Sequence, residues 1–448
     1  MILPQQIEGK ARAKLRVIDG FIERIDAGAV PEHVRERAAA VVMPLLYEHH
    51  LTQGELERQL LIAGETAGLD LSSTFAAGKE VGGSLLVLSG KYRPVSASIY
   101  ADNAMPAVFG TGQIVTTASL NSPSGQGDQL TVSAAGLPDR DWGSRNPTRR
   151  YLSGTYMVPI GIHGWFFELY ATDGRTTPRV DPSLATQGLF QQAHVKLSYE
   201  VLKRRDYELT LNGRFEATDE MNSELVTNPA LPLSLDRLRV LRVGADGIWR
   251  WRESGTTWTY GGNYSRGLDA FGARSAADAT PLLPLSRQGA DDVFDKVDGH
   301  AEVNQALPND FFADIAASAQ YSFNHALLSA EQFDITGAKA LSGFTAGELI
   351  GDRGYVARGE LGRPFTQPIM EAGSVTITPY LFLADGERDL ELPTALELGS
   401  IRAINFGGSA RYNFTPARDD LPSSYGFIEW SRERSTDATL DAYLPGMP

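Results

Sequence analysis

From Tyr92 onward, apolar and polar residues alternate strictly in segments of about ten residues, which Gly, Asp, Asn and Pro turns separate. In the clearest segment, 404–414, the even positions are apolar or small and the odd positions are hydrophilic or glycine. Segments 193–201, 207–216 and 313–323 repeat the pattern. Because successive side chains of a strand point to opposite sides, each segment predicts a strand with one apolar and one polar face.

The number of these segments constrains how the strands assemble. A soluble β-sandwich also alternates, but ~350 residues of strands with no second core-forming layer favour a transmembrane barrel. No run of about 18 apolar residues predicts a membrane-spanning helix. In hydrocarbon every backbone N–H and C=O group must be paired, and a closed barrel pairs them all. We therefore predict an all-β transmembrane barrel of about sixteen antiparallel strands.

Residues 21 to 90 follow another pattern. A short strand from Phe21 precedes a helical segment that Pro44 should end early. Thr52 and Glu55 have the spacing of a capping box at the start of a second helix, and strands are predicted at 69–75 and 84–88. This order predicts a small α+β domain before the barrel.

Composition excludes several functions. The chain has no cysteine, and its 41 Lys+Arg against 55 Asp+Glu give a net charge of -14, so a disulfide framework, a cysteine nucleophile and a nucleic-acid partner are not expected. No Gly-x-Ser-x-Gly or His-Glu-x-x-His motif occurs, and we expect no enzymatic activity, cofactor or metal. The pairs Asp291-Asp292 and Asp419-Asp420 lack the alternating ligand spacing of calcium loops, which favours exposed loop charge over a calcium site.

A long glycine-rich loop, from residue 333 to about 354, leads into a strand that continues to Leu361. Loops of this length in a compact domain are uncommon and are usually functional or disordered. The segment lacks the Gly-Lys-Ser/Thr ending of a phosphate-binding loop. Its spaced glycines, without a polar low-complexity tract, predict an ordered, functional loop.

Three stretches, 51–78, 100–136 and 351–361, resemble the outer-membrane transporters of two-partner secretion. This is the hemolysin secretion/activation (FhaC/ShlB-like, TpsB) family, and the Asp102-Asn103 pair and the turn at 121–130 are its more specific features. The resemblance implies the tail end of a truncated POTRA domain at 1–20 and a POTRA domain at 21–90. An outer-membrane β-barrel would follow at 91–448, with a long luminal loop at 325–354.

The resemblance also implies a function. The chain would be a translocation pore of a Gram-negative outer membrane that exports a dedicated hemolysin- or adhesin-like partner from periplasm to cell surface without ATP. The implied partners are the unfolded secreted polypeptide, outer-membrane lipid and the barrel-assembly machinery. The POTRA domain would lie in the periplasm.

Three alternatives remain open at this stage. One is a diffusion porin, which would not need the α+β domain. Another is a different POTRA-barrel protein, an insertase of membrane proteins. The last is a degenerate, N-terminally truncated copy, which the altered loop tip and a C-terminus with Pro445 and Pro448 in place of a final aromatic residue would suit.

The loop tip departs from the family pattern. In the family, a Val-Arg-Gly-Tyr/Phe tip pairs its arginine with the aspartate of a Phe-x-Asp-x-Gly motif on the barrel wall. The tip here consists of Leu341, Ser342, Gly343 and Phe344. The wall motif facing it consists of Phe382, Ala384, Asp385 and Gly386. Because losing both charges is tolerated better than losing one, we expect Phe344 packing and close approach at glycine to hold the loop instead.

The strand after the loop supplies the remaining candidate residues. Arg358 and Glu360 should point into the lumen as structural charges, with a transport-specific role as the alternative. The full set is Gly351, Asp352, Arg353, Gly354, Tyr355, Arg358 and Glu360.

Overall fold

The computed structural model describes residues 19–137, 139, 141–179, 185–395, 397–418 and 421–435. The N-terminal region is a small α+β domain with a three-stranded sheet in the order β1-β3-β2, in which β1 is parallel and β2 antiparallel to β3. Its elements are β1 (Phe21–Ala29), α1 (Glu32–Val42), α2 (Gln53–Gly64), β2 (Leu69–Ala77) and β3 (Gly83–Tyr92).

Helical spacing and capping explain this domain. Helix α1 places Val34, Ala38 and Val41 in a core with Leu86 and Leu88 of β3. The chain leaves α1 through a short 3-10 turn, 43–45, which contains the proline predicted to end the helix.

The predicted capping box of α2 is confirmed. Thr52 Oγ1 accepts the Glu55 N–H at 3.2 Å, and Glu55 Oε2 accepts the Thr52 N–H at 2.9 Å. These hydrogen bonds to Thr52 lower the pKa of Glu55, because they stabilise its charged form. None of the described helices is long and apolar enough to cross a membrane.

Most of the described residues from Val95 to Ser435 form one 16-stranded antiparallel sheet. Its first strands are β4 (Val95–Asp102), β5 (Gln113–Asn121), β6 (Gln129–Gly136), β7 (Arg149–Ile160), β8 (Trp165–Thr176), β9 (Thr186–Lys203), β10 (Tyr207–Glu224), β11 (Leu231–Trp251), β12 (Thr256–Gly267), β13 (Asp295–Ala306) and β14 (Phe312–Tyr321). A loop then carries a two-stranded ladder of β15 (Phe333–Asp334) and β16 (Ile350–Gly351). The sheet resumes with β17 (Arg353–Gly362), β18 (Phe365–Ile369), β19 (Gly373–Asp389), β20 (Ser400–Pro416) and β21 (Ser424–Ser435).

Strand order follows the chain. Neighbours are consecutive from β4 to β14, then β17, β19, β20 and β21, and β18 pairs with β19 beyond the end of β17. Tyr100 of β4 stacks on Tyr425 of β21 with ring centroids 6.3 Å apart, so the two ends of the strand order meet. The predicted barrel of about sixteen strands is confirmed.

The two faces of the barrel differ as the alternation predicts. Leu361 and Leu381 are exposed on the outer face at 50 % and 69 %, as lipid-facing residues are. Glu216, Arg242 and Asn405 are buried on the inner face. The lumen is therefore lined by polar side chains.

Candidate functional site

The loop between β14 and β17, residues 322–352, folds against the inner face of the barrel. Leu341 and Phe344 at its tip are buried. They belong to an apolar cluster that also contains Ile335, Leu349, Val356, Ala384, Ile401 and Ala403. Loop residues thus pack directly on side chains of β17, β19 and β20, and we call residues 322–352 the luminal loop.

Strand register determines what the tip meets. Arg358 of β17 is opposite Ala384 of β19, which is opposite Asn405 of β20. The three positions share the inner face, and all are buried. Ala384 belongs to the same buried apolar cluster as Leu341 and Phe344, so the tip packs on the wall at this level.

Polar contacts surround Ser342. Its Oγ atom lies 3.1 Å from Asn405 Oδ1, contacts Glu429 Oε1, and accepts a hydrogen bond from Arg358 Nη1 at 2.7 Å. The Gly343 N–H also donates to Asn405 Oδ1, at 3.2 Å. The tip is therefore bound to β17, β20 and β21 by hydrogen bonds as well as by apolar packing.

Arg358 connects these elements. Its side chain is 2 % exposed and pairs with Glu429 of β21 and with Glu360 of its own strand, each at 2.8 Å. Its guanidinium also lies 3.7 Å from the centroid of the Phe382 ring. The wall thus supplies an arginine to a tip that lacks one.

Asp352 anchors the C-terminal end of the luminal loop and is fully buried. Its carboxylate pairs with Arg287 from the loop 268–294, and it accepts hydrogen bonds from the Leu327 N–H at 2.9 Å and Gln332 Nε2 at 3.3 Å. It also accepts the Glu391 N–H at 2.6 Å. One carboxylate therefore joins three loops.

A further ionic group anchors the start of the luminal loop. Glu331, which is buried, lies 2.6 Å from Arg242 Nη2 of β11 and 2.8 Å from Lys296 Nζ of β13. Arg242 also pairs with Glu216 of β10 at 2.8 Å. The loop therefore makes ion pairs with two strands that precede it in the sheet, β11 and β13.

The chain matches a known family over residues 82–389, more than half of its length. That family is described as haemolysin secretion/activation protein ShlB/FhaC/HecB. The chain belongs to this family. It is thus an outer-membrane secretion transporter, as its sequence resemblance implied.

Solved structures agree with the fold of this transporter. CdiB from Escherichia coli aligns with a TM-score of 0.69 and 19% identity, covering 93% of this chain and 77% of that one. CdiB from Acinetobacter baumannii aligns with a TM-score of 0.61 and 16% identity, covering 93% and 74%. No curated protein sequence matches the chain.

Of the four predicted wall residues, three lie on the face that meets the tip and one does not. Phe382, Ala384 and Gly386 lie on the inner face of β19, whereas Asp385 lies on the other face and pairs with Arg402 at 2.9 Å. The expectation that Asp385 faces the tip is therefore wrong, because adjacent side chains of a strand point to opposite sides.

The remaining predicted residues have other partners. Tyr355 donates its hydroxyl to Asp385 Oδ2 at 3.1 Å, and Arg353 pairs with Asp389 at 3.2 Å. A side chain added at Gly351 or Gly354 would meet the backbone of β19. Predictions for residues 1–18, for the pair at 419–420 and for the C-terminus fall outside the described residues.

Sequence reasoning missed Asn405, Glu429, Glu331 and Arg287 as partners of the loop. The alternation in 404–414 assigns Asn405 to the hydrophilic face, so a signal for that residue existed. The other three are identified only by their contacts in the folded chain.

We predict that Gly343→Ala displaces the loop tip. A Cβ atom at Gly343 would lie 2.5 Å from Asn405 Nδ2 and 3.0 Å from Ser431 Oγ and Glu433 Oε2, so the tip or the Asn405 amide that holds it must shift. We expect faster cysteine labelling of an Ala384→Cys reporter beneath the tip. Gly359→Ala, which meets nothing within 4 Å, is the matched control. Equal labelling rates in the two variants would contradict close approach at Gly343.

Proposed function

We propose that this transporter exports a dedicated polypeptide, in unfolded form, from the periplasm to the cell surface through its barrel and without ATP. Family membership supports the transport class. The observation that carries the proposal is the luminal loop, which lies on the inner wall and is held there by non-covalent contacts. We expect such a loop to close the lumen at rest and to move when a chain enters.

The α+β domain has a surface suited to an extended polypeptide. We assign residues 21–90 as a periplasmic POTRA domain, 1–20 as the end of a preceding one and 91–448 as the barrel. Strand β2 is an edge of the three-stranded sheet, and most of its residues are exposed. An unfolded chain added along such an edge gains backbone hydrogen bonds with little sequence demand.

The lumen provides a polar path for the exported chain. Arg358, Glu360 and Arg411 line a small, partly open space beside Lys339 of the luminal loop. Their charges pair with one another across the wall, as Arg411 does with Glu360. An unfolded chain that displaces the loop would meet side chains that hydrogen-bond its backbone in place of water.

Secretion in cells tests the proposal and separates it from its rivals. The protein is directed to the outer membrane of a Gram-negative host and produced there together with a candidate exoprotein, for which genes adjacent to its own are the first source. We expect that exoprotein at the cell surface only when both are present. Solute uptake without secretion would indicate a diffusion porin. Barrel insertion with neither activity would indicate a degenerate copy, and chain-dependent insertion of other barrels would indicate an insertase.

A further inference from the structure

The loop 268–294, which joins β12 to β13, carries two adjacent aspartates, Asp291 and Asp292, near its C-terminal end. Asp292 is fully buried, and neither of its carboxylate oxygens accepts a hydrogen bond from a described residue. The sequence favoured exposed charge here, so this burial corrects that expectation. A buried carboxylate without a partner is strongly unfavourable, and such groups are normally paired, protonated or bound to a cation.

The surroundings of Asp292 add negative charge. Its carboxyl group faces that of Asp291, close enough to share a proton. Burial, together with the carboxyl groups of Asp291 and Asp269, raises the pKa of Asp292 to about 6. Asp291 Oδ1 accepts the N–H groups of Ala276 and Asp292, both at 2.9 Å. Asp291 Oδ1 is thus engaged, whereas both carboxylate oxygens of Asp292 are buried and have no hydrogen-bond donor among the described residues.

We propose that Asp291 and Asp292 bind a calcium ion. Carboxylate oxygens are ligands of hard cations, and Ca²⁺ accepts backbone carbonyls and water in an irregular shell. Among the described residues, no three acidic or histidine side chains surround one point. A ligand shell of two carboxylates, backbone carbonyls and water therefore suits Ca²⁺. Zn²⁺ prefers nitrogen and sulfur ligands, and Mg²⁺ requires a near-octahedral shell.

Binding there would order the loop 268–294. The same loop carries Arg287, whose guanidinium pairs with Asp352 and reaches the backbone of Glu391. A cation at Asp292 therefore stabilises the segment that supplies this arginine. The inference does not rest on the proposed export activity, because the site lies outside the contacts of the loop tip.

Calcium titration of the purified, detergent-solubilised chain after EDTA treatment tests the site. We expect saturable Ca²⁺ binding by calorimetry and several-fold slower trypsin cleavage after Arg274 and Arg287 once Ca²⁺ is added. Asp292→Asn should lose both effects and should resist trypsin better than the wild type in EDTA, because it removes the repulsion. Asp310→Asn, an exposed aspartate of another turn, should behave as the wild type.

Two results would overturn the inference. One is an Asp292→Asn variant that still binds Ca²⁺ with unchanged affinity. The other is a wild type that ignores Ca²⁺ at neutral pH but gains the same protease resistance on acidification to about pH 5, which would assign the position to a proton.

Discussion

Arg358→Ala should increase the ion conductance of the reconstituted barrel several-fold. The substitution removes the guanidinium that joins Ser342 of the loop tip to Glu429 of β21, and it leaves Glu360 and Glu429 with fewer partners. Removing one member of a buried ion pair costs about 3–5 kcal/mol. Because that cost is relieved when water enters, the tip should leave the wall. Planar-bilayer recording measures the conductance.

Labelling provides an independent measurement of the same movement. The chain has no cysteine, so Ala384→Cys introduces a single thiol on the wall beneath the tip. We expect it to react faster with a maleimide when Arg358 is alanine. Arg402→Ala is the matched control, because its pair with Asp385 lies on the opposite face and is half-exposed. Unchanged conductance and labelling in Arg358→Ala would show that the tip does not depend on Arg358.

The strands, and the face of the sheet on which each side chain lies, could be predicted because successive side chains of a strand alternate between its two faces. That rule assigned Arg358, Glu360 and Asn405 to the polar face, and the structure buries all three there. The same rule would have prevented the error at Asp385, which is one position from Ala384 and must point the other way. The capping box of α2 could also be predicted, because it depends only on Thr52 and Glu55, and it is confirmed.

Partners across the barrel could not be predicted. Arg358 and Glu429 are 71 residues apart, and their meeting depends on the register of every strand between them. The expectation of apolar packing and glycine contact at the tip was therefore incomplete, since it contained no arginine. Burial of Asp292 likewise depends on how a long loop folds back on the barrel, and the local sequence contains no periodic signal for it.

Asp352→Asn should lower the free energy of unfolding by about 3–5 kcal/mol. The side chain is buried and accepts hydrogen bonds from the Leu327 and Glu391 N–H groups while it pairs with Arg287. An amide in the same place turns one acceptor into a donor and leaves the buried guanidinium without a counter-charge. Urea unfolding in detergent, followed by tryptophan fluorescence, measures the change. A loss below about 1 kcal/mol, the range of exposed pairs, would contradict this role.

Asp352→Asn and Arg358→Ala should loosen different parts of the protein. Asp352 joins the loops 268–294 and 390–399 to the luminal loop, whereas Arg358 contacts the luminal loop at its tip and at the adjacent Ala340. Trypsin should therefore cut Asp352→Asn after Arg287, while Arg358→Ala should remain resistant there. Asp385→Asn, which breaks a half-exposed pair on the outer face, should change neither stability nor cleavage. Equal cleavage of Asp352→Asn and Arg358→Ala after Arg287 would show that the tip and the base of the luminal loop are coupled. The tip could then not move while the base stays fixed.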